Sequence, residues 1–287
     1  MKIIIGKTAG FCYGVKNAVE KSIEELKKDG DVCCLGEIVH NKKVVKELEE
    51  MGMQFIDNLD ENTEKKNTII RAHGVSKKIY EDADKNNIKL IDLTCPNVLK
   101  IHKIVSDYRQ KDYYIFLIGT KLHPETIGTA GFCEEYFSII EEKDDIKTSI
   151  ENLKKSEKKN LLVVVQTTFS IEKFTNLTNI IKKDLKNDIQ TVEIVNTICN
   201  ATKTRQEETA QISKQVEYMI IIGGKNSSNT KKLYEIAKEN CEDTICIESY
   251  KEIERNSVKN KNIIGIMAGA STPQSSIDEV INLVKNT

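Results

Sequence analysis

The sequence has no Trp and only three Pro among its 287 residues, and its only Arg residues are Arg71, Arg109, Arg205 and Arg255. It also lacks an excess of either charge, since 43 Lys and Arg stand against 44 Asp and Glu, for a formal net charge of −1. A general nucleic-acid-binding protein carries a basic excess, so we expect no nucleic-acid partner. Because Arg is scarce, any anion site must depend mainly on other donors.

Long apolar runs are missing as well. The longest, such as YYIFLIG and LLVVV, have the length of a strand and fall far short of the ~18 residues that a membrane span needs. The N-terminal MKIIIGKTAG has three apolar residues in a row, where a secretory signal needs about 7–15. We therefore expect a cytoplasmic protein with no membrane partner. At 39% hydrophobic residues the chain has enough apolar mass for a folded core, and its length suits two or three compact units.

A threefold repeat is present in the spacing of the sequence rather than in its letters. Three segments each run from a short strand into a cysteine and then into a helix. The cysteines are Cys12, Cys95 and Cys199. An apolar strand follows each cysteine and ends 24 residues later in a glycine: Gly36, Gly119 and Gly223. Four residues beyond the glycines lie His40, His123 and Ser227. Equal offsets in all three segments indicate an internal pseudo-repeat.

Each segment alternates strands with helices, which predicts an α/β fold with small parallel sheets and crossover helices. Polar residues follow the third strands, where we match Thr167 with Ser271, each 72 residues after its cysteine, and place His73 in the first segment. Ligands of open α/β sheets bind beyond the carboxyl ends of the strands. Three such domains around an axis would therefore direct three cysteines and three polar loops at one central cavity. The predicted domains are 1–95, 96–196 and 197–287.

The three repeated cysteines are candidate metal ligands. A lone cysteine is most often a small buried hydrophobe, but each of these begins a helix, where backbone amides favour the thiolate. Pro96 suits the first helical position and makes Cys95 the N-cap. The spacing lacks the CxxC pairs of a zinc ribbon. Three thiolates suit a 4Fe–4S cluster with one iron left open, since a fully held cluster uses four. The other cysteines, without repeat partners, are Cys33, Cys34, Cys133, Cys241 and Cys246.

The polar loops form a candidate anion site. A single Ser or Asn before a helix usually only caps it, but GKNSSNTKKL has four such residues together and AGASTPQSS combines small residues with hydroxyls. Several donors at helix N-termini make an anion site, for which a phosphate or diphosphate is the natural ligand. The candidate residues are His40, His73, His123, Thr167, Ser227, Ser228, Asn229 and Ser271.

Glu125, in LHPETIGTAG, is the candidate proton donor. Pro124 biases His123 away from the helical conformation, so Glu125 lies in the first turn of a helix, where a carboxylate interacts favourably with the helix dipole. Beside a cluster and an anion pocket it is the carboxylate best placed to deliver a proton, with Glu37 as its nearest competitor. His102 has no repeat partner, and we interpret it as structural.

Nine segments together resemble the 4-hydroxy-3-methylbut-2-enyl diphosphate reductase family, which performs the last step of the non-mevalonate route to isoprenoid precursors. They occur in the family's order over residues 10–271: GFCYGVKNAVE, GEIVHN, RAHGV, DLTCPNV, LHPETIGTAG, QTTFS, NTICNATKTRQE, GGKNSSNT and AGAS. The resemblance implies three α/β domains arranged as a trefoil around one 4Fe–4S cluster. It also implies reductive dehydroxylation of an allylic diphosphate to isopentenyl and dimethylallyl diphosphate, with electrons from a small ferredoxin or flavodoxin.

The resemblance also implies a role for each candidate residue. The implied cluster ligands are Cys12, Cys95 and Cys199. The implied ligands of the substrate diphosphate are His40, His73, His123, Ser227, Ser228, Asn229 and Ser271. Glu125 becomes the proton donor, and Thr167 lies beside it at the substrate hydroxyl.

Two alternatives remain open from the residues. A 4Fe–4S hydro-lyase would bind a hydroxy-carboxylate with an Arg clamp, but only Arg71 and Arg205 lie near these loops. A cluster-bearing redox sensor would present a basic or apolar docking surface rather than Ser, Asn and His at helix starts. Both rank below the reductase.

The repeat predicts which cysteines matter for the cluster. Cys199→Ser should lose or fragment the cluster, whereas Cys241→Ser should not, because only Cys199 has repeat partners. Iron and acid-labile sulfide per chain, measured on protein purified without oxygen, test this pair. The reverse result would mean that the repeat is aligned wrongly.

Overall fold

Short runs of Ile, Val and Leu form the strands of this protein, for which a computed structural model describes residues 1–29, 31–64, 66–185 and 189–287. Within these ranges all strand pairs are parallel. The strands are β1 (Lys2–Ile5), β2 (Val32–Leu35), β3 (Gln54–Ile56), β4 (Asn67–Ile70), β5 (Leu90–Asp92), β6 (Tyr113–Ile118), β7 (Phe137–Ile140), β8 (Asn160–Val165), β9 (Thr191–Ile194), β10 (Tyr218–Ile222), β11 (Thr244–Ile247) and β12 (Ile263–Ala268).

Amphipathic helices connect the strands. In the last of them Ile277, Val280 and Val284 are at most 1% exposed, which is the spacing of one buried helix face. The helices are α1 (Tyr13–Asp29), α2 (Lys42–Glu50), α3 (Lys77–Lys85), α4 (Pro96–Gln110), α5 (Pro124–Ala130), α6 (Lys143–Lys155), α7 (Ile171–Leu185), α8 (Asn200–Ser213), α9 (Ser228–Asn240), α10 (Arg255–Lys259) and α11 (Gln274–Lys285). Of the helices in the described ranges, none combines the length and the hydropathy needed to cross a membrane.

The strands form three sheets of identical order, β3-β2-β4-β5, β7-β6-β8-β9 and β11-β10-β12-β1. The predicted α/β fold with three small parallel sheets is therefore confirmed. In every sheet the fourth strand is the one that precedes a repeated cysteine. Gly36, Gly119 and Gly223 are equivalent too, because each donates its backbone N–H to the last residue of the edge strand β3, β7 or β11 of its sheet, at 2.7, 3.0 and 2.9 Å.

The first strand belongs to a different sheet from the one that the sequence order suggests. We expected β1 in the sheet of the first segment, but it pairs with β12, with Lys2 opposite Ile263. The physical reason is that β5 already occupies the corresponding edge of the first sheet, beside β4. The boundaries at 95 and 196 leave β5 and β9 with their sheets, and the division into three domains stays a prediction.

By its contacts the chain divides into two compact units. Unit 1 contains Met1–Val19, Val39–Met51 and Asn200–Thr287, and therefore the β11-β10-β12-β1 sheet. Unit 2 contains Glu20–Ile38 and Gly52–Cys199, and therefore the other two sheets.

Both faces of the β7-β6-β8-β9 sheet are buried, as expected for parallel strands covered by crossover helices. Phe116 and Val163 point to one face and pack against side chains of α6 and α7. Leu117 and Leu162 point to the other face and pack against α4. The uninterrupted apolar runs of β6 and β8 thus supply two separate cores.

Phe116 has no exposed surface, so Phe116→Ala should lower the free energy of unfolding by about 3–5 kcal/mol. Val192, on the edge strand β9, is 39% exposed, and Val192→Ala is the control, with an expected change within about 0.5 kcal/mol. Urea unfolding followed by far-UV circular dichroism measures both, since the chain has no Trp. Equal losses for the two variants would contradict the assigned core.

Candidate active site

The three repeated cysteines occupy equivalent positions in the backbone. Each comes directly before a helix, at the starts of α1, α4 and α8, and each is partly exposed. The backbone N–H of each donates to the residue two positions beyond the third strand of a sheet. These bonds are Cys12 to Ala270 O (3.2 Å), Cys95 to Ala72 O (3.0 Å) and Cys199 to Thr167 O (3.1 Å). The sequence offset therefore reflects a repeated local structure, and Cys95 is the N-cap of α4, as predicted.

Most of the remaining cysteines pack in the interior. Cys33 and Cys34 lie in β2 and are 1% and 0% exposed, as expected for a pair within a strand. Burial raises the pKa of Cys34 and of Cys133 to about 12. Cys241 contacts the carbonyl oxygens of Val216 and Asp243 at 3.7 Å. Buried thiols with raised pKa values stay protonated, unlike the thiolates that metals require.

The predicted match of Thr167 with Ser271 is wrong by one residue. Gln166 and Gly269 each donate their backbone N–H, at 2.8 Å, to the last residue of the neighbouring central strand. Thr167 is the first residue after this bond, whereas Ser271 is the second. The span from Gly223 to Gly269 is one residue shorter than the equivalent span from Gly119 to Gln166, and an ungapped offset cannot register that difference.

The start of α5 is as the sequence predicts, with Pro124 at its first position and His123 as the N-cap. His123 Nδ1 accepts the backbone N–H of Glu125 at 3.1 Å. Because Nδ1 is an acceptor, the proton of the neutral imidazole lies on Nε2. Capping α5 therefore uses Nδ1 of His123 and places the proton of this tautomer on the other ring nitrogen.

Glu125 is buried, with 2% of its surface exposed. Its two carboxylate oxygens accept the backbone N–H and the hydroxyl of Thr167, each at 2.6 Å. Burial raises the pKa of Glu125 to about 7, although both hydrogen bonds from Thr167 favour the ionised form. The carbonyl of Thr167 accepts the N–H of Cys199. Thr167 thus connects a carboxyl group that holds a proton near neutral pH with one of the repeated cysteines.

His73 and His123 lie edge to face, with ring centroids 5.3 Å apart. Close backbone packing of α5 brings them together. A methyl group added to Gly128 would lie 3.3 Å from the carbonyl carbon of Val75, and one added to Gly131 would lie 2.2 Å from Ser76 Cβ. Glycine is therefore required at Gly131 for α5 to approach the chain that follows His73.

In unit 1 the polar loops also converge. Ser227 is the N-cap of α9 and accepts the N–H of Thr230. Ser271 Oγ donates to His40 O at 3.2 Å, and a methyl group on Gly224 would lie 2.4 Å from the same oxygen. The loop before α9, the end of β12 and His40 therefore meet at one place in unit 1.

Asn229, in the first turn of α9, is 3% exposed, and neither its amide nitrogen nor its amide oxygen has a hydrogen-bond partner within the described part of the chain. A buried polar group without a partner costs about 1–3 kcal/mol. An amide in this state at a helix N-terminus, beside Ser227 and Ser228, fits a site that a polar ligand completes.

The candidate residues divide between the two units. Unit 1 contains Cys12, His40, Ser227, Ser228, Asn229 and Ser271. Unit 2 contains His73, Cys95, His123, Glu125, Thr167 and Cys199. Every candidate lies at or close to the junction of a strand end with a helix start, as the rule for open α/β sheets predicts.

Comparison with known proteins places the chain in a family. Residues 3–285 match the family model described as LytB protein. The chain is 44% identical to the 4-hydroxy-3-methylbut-2-enyl diphosphate reductase of Caldanaerobacter subterraneus subsp. tengcongensis, over all of this chain and 97% of that one. It is 40% identical to the Clostridioides difficile protein of the same name, over the full length of both. The chain belongs to the LytB family.

Solved structures agree with this assignment. A structure of (E)-4-hydroxy-3-methyl-but-2-enyl diphosphate reductase, described as the terminal enzyme of the non-mevalonate pathway, matches with a TM-score of 0.72 and 37% identity over all of both chains. The corresponding reductase of Plasmodium falciparum matches with a TM-score of 0.88 and 31% identity, over 98% of this chain and 87% of that one. This chain therefore has the same overall fold as these two reductase structures.

Two features of this LytB-family chain were not identified from the sequence. Gln166 is 1% exposed, and its Oε1 accepts the N–H of Thr120 at 3.0 Å and contacts Thr126 Oγ1 at 3.3 Å. The sequence feature that could have indicated Gln166 is its position directly before Thr167, in QTTFS. The second feature is the burial of Glu125, since a carboxylate in a first helical turn is usually solvated.

His102 is structural, as the sequence predicts. His102 is 3% exposed and stacks on Phe132 with ring centroids 4.3 Å apart. Burial lowers the pKa of His102 to about 4, so it stays neutral and its role is packing. Glu37 is exposed, in contrast to Glu125.

The close packing of α5 is testable with Gly131→Val. The added side chain would overlap Ser76 and force α5 outwards, at a cost of about 1–3 kcal/mol in the free energy of unfolding. It should also weaken binding of inorganic diphosphate, the ligand class that the sequence predicts for His73 and His123. Ile127→Val is the control, because Ile127 is 53% exposed on the same helix. Urea unfolding and titration calorimetry measure the two effects. Unchanged stability and affinity in Gly131→Val would rule out the proposed contact.

Proposed function

We propose that this chain catalyses the reaction for which its curated relatives are named, the reductive dehydroxylation of 4-hydroxy-3-methylbut-2-enyl diphosphate to isopentenyl diphosphate and dimethylallyl diphosphate. The observation that carries the proposal is the buried carboxyl of Glu125, held by Thr167, whose carbonyl in turn holds Cys199. A proton donor is thereby coupled to a metal-binding residue. A cytoplasmic location and a small ferredoxin or flavodoxin as electron donor are parts of the same proposal.

Cys12, Cys95 and Cys199 would hold one 4Fe–4S cluster, with the three domains arranged around it. The donor set fits the cluster, because three partly exposed thiols at equivalent helix starts can each become a thiolate. When bound, such a cluster supplies electrons one at a time and leaves one iron without a protein ligand.

The polar loops would bind the substrate diphosphate. Asn229 supports this because its buried amide would gain the partners that the chain itself does not provide. Hydrogen bonds to a charged group contribute about 1.5–3 kcal/mol each, and a micromolar ligand needs about 8 kcal/mol. Four or five such contacts therefore suffice without an Arg clamp. The proposed ligands are His40, His73, His123, Ser227, Ser228, Asn229 and Ser271.

Glu125 would deliver the proton that lets the substrate hydroxyl leave as water. Its pKa, raised to about 7, keeps the carboxyl mostly protonated below that pH, and the Thr167 hydroxyl would orient it at the substrate oxygen. Overall, two electrons and two protons convert the C–OH group to C–H and water. The second proton goes to one of the two ends of the allyl system, which determines which product forms.

The hydro-lyase alternative is less well supported, because the two Arg residues near the polar loops make other contacts. Arg205 donates from Nε and Nη2 to the backbone oxygen of Thr8, at 2.9 and 2.7 Å. These two N–H groups therefore already bind the protein backbone. Arg71 packs against the backbone of Gly36.

The cluster and its open iron are tested directly on protein purified without oxygen. We expect four irons per chain, one of which changes its Mössbauer spectrum when the allylic diphosphate is added. Turnover assays with a reductant then follow. Zinc in place of iron, or four equivalent irons that do not respond to the diphosphate, would exclude the reductase mechanism.

Glu125→Gln removes the proton but preserves the shape of the side chain. Iron content and substrate affinity should be retained, while turnover falls by about 10²–10⁴-fold, the usual contribution of a general acid. Wild-type turnover should decrease as the pH rises above about 7, because the pKa of Glu125 is raised to that value. The control is Glu37→Gln, since Glu37 is the exposed competitor. Near-normal turnover in Glu125→Gln would remove Glu125 from the mechanism.

Asn229→Leu separates binding from stability. Replacing a buried amide that lacks partners by an apolar side chain of similar size should leave the free energy of unfolding unchanged or raise it. The Kd for inorganic diphosphate should rise about tenfold or more, the equivalent of one lost hydrogen bond to a charged group. Asn226→Leu is the matched control, because Asn226 is exposed in the same loop. A destabilised variant with normal affinity would show that Asn229 has a structural role only.

A further inference from the structure

The link between a sheet and a repeated cysteine is longest before Cys12. Residues 6–11, six in number, separate β1 from Cys12, whereas two residues precede Cys95 and four precede Cys199. A longer link has more conformations to lose when it is ordered. Cys12 is therefore the cysteine whose position depends most on contacts made by its loop.

Arg205 supplies part of that contact. It is 3% exposed, and its Nε and Nη2 atoms donate to Thr8 O at 2.9 and 2.7 Å. Nη2 also donates to Gly10 O at 2.9 Å. Gly10 has a φ of +98°, a conformation that glycine adopts at low cost. One planar guanidinium thus fixes two carbonyls within the six-residue link.

Glu208, one helical turn further along α8, holds the other side of the same link. Its Oε1 accepts the N–H of Lys7 at 2.6 Å, and its Oε2 accepts the N–H and the hydroxyl of Thr8 at 2.9 and 2.5 Å. Burial alone would raise the pKa of this carboxyl, but these hydrogen bonds outweigh it and lower the pKa. Glu208 is therefore ionised and binds the loop with charge-assisted bonds.

Arg205 has no Arg counterpart in the other two segments of the repeat. Arg205 lies six residues after Cys199, and the residues six positions after Cys12 and Cys95 are Ala18 and Ile101, both apolar. A polar clamp therefore occurs on the helix that packs against the longest link. The clamp lies on α8, which starts directly after Cys199, another of the repeated cysteines.

We propose that Arg205 and Glu208 are positioning residues, which hold residues 6–11 and thereby place the Cys12 thiol for cluster binding. The proposal rests on the proposed function, because it takes Cys12 to be a cluster ligand. It adds that contacts within the protein order Cys12 before a cluster binds.

Hydrogen exchange of the full chain without cluster tests the clamp by itself. In Glu208→Gln the amides of Lys7 and Thr8 should exchange about tenfold faster or more, since each loses a bond to a charged group. Glu207→Gln is the matched control, because Glu207 is the exposed neighbour on α8. Unchanged exchange at both amides would overturn the proposal.

Iodoacetamide labelling of the same protein, read by peptide mass spectrometry, tests the effect on the thiol. Arg205→Met should change the labelling rate of Cys12 but not that of Cys95, whereas a general loss of stability would change both. Arg205→Lys keeps the charge and should restore part of the wild-type rate. Equal changes at both cysteines would overturn the proposed positioning of Cys12.

Anaerobic reconstitution then connects the clamp to the cluster. Arg205→Met should bind less iron per chain than wild type and lose it faster in air, while the exposed control Lys203→Met should match wild type. If wild type takes up no cluster, the proposed function fails. If wild type and Arg205→Met hold the cluster equally well, the function stands and the positioning role is excluded.

Discussion

One backbone hydrogen bond, made three times, determines where the three repeated cysteines of this protein lie. Each repeated cysteine donates its N–H to a carbonyl two residues beyond the third strand of a sheet. The bond places a thiol at the carboxyl end of a parallel sheet and at the start of a helix at once. Strand pairing, helix start and candidate ligand are therefore not independent, and a change in one displaces the others.

Two carboxyl groups of this protein, those of Glu125 and Glu208, have opposite electrostatic surroundings. Glu125 is buried and accepts two hydrogen bonds from Thr167, and its pKa rises. Glu208 is bound by two backbone amides and a hydroxyl, and its pKa falls. Two carboxyl groups of the same type thus hold different protonation states near neutral pH. The first suits a group that gives up a proton, and the second suits a group that binds a loop.

Much of this organisation could be predicted, because it depends on local pattern. Apolar runs indicate the strands, Pro96 and Pro124 indicate helix starts, and equal offsets indicate equivalent cysteines. The pairing of β1 with β12 could not be predicted in the same way, since a strand's own residues do not specify its neighbour in a sheet. The match of Thr167 failed for a simpler reason, a net difference of one residue between the two equivalent spans.

The remaining features depend on residues far apart in the chain. The burial of Glu125 requires the end of β8, and the bonds between Arg205 and Thr8 span 197 residues. Neither residue type nor spacing contains this information. A carboxylate in a first helical turn and an Arg within a helix are both usually solvated, so their burial is set by tertiary structure alone.

The membership of β1 in the last sheet also has a consequence for biosynthesis. The chain leaves the ribosome from its N-terminus, so β1 is made long before its partner β12 (Ile263–Ala268). The carbonyl of Ala270, to which Cys12 donates, follows directly. Both sheets of unit 2, by contrast, are complete once β9 has been synthesised. The Cys12 loop therefore reaches its final position only after β12 has been synthesised, later than both sheets of unit 2 can form.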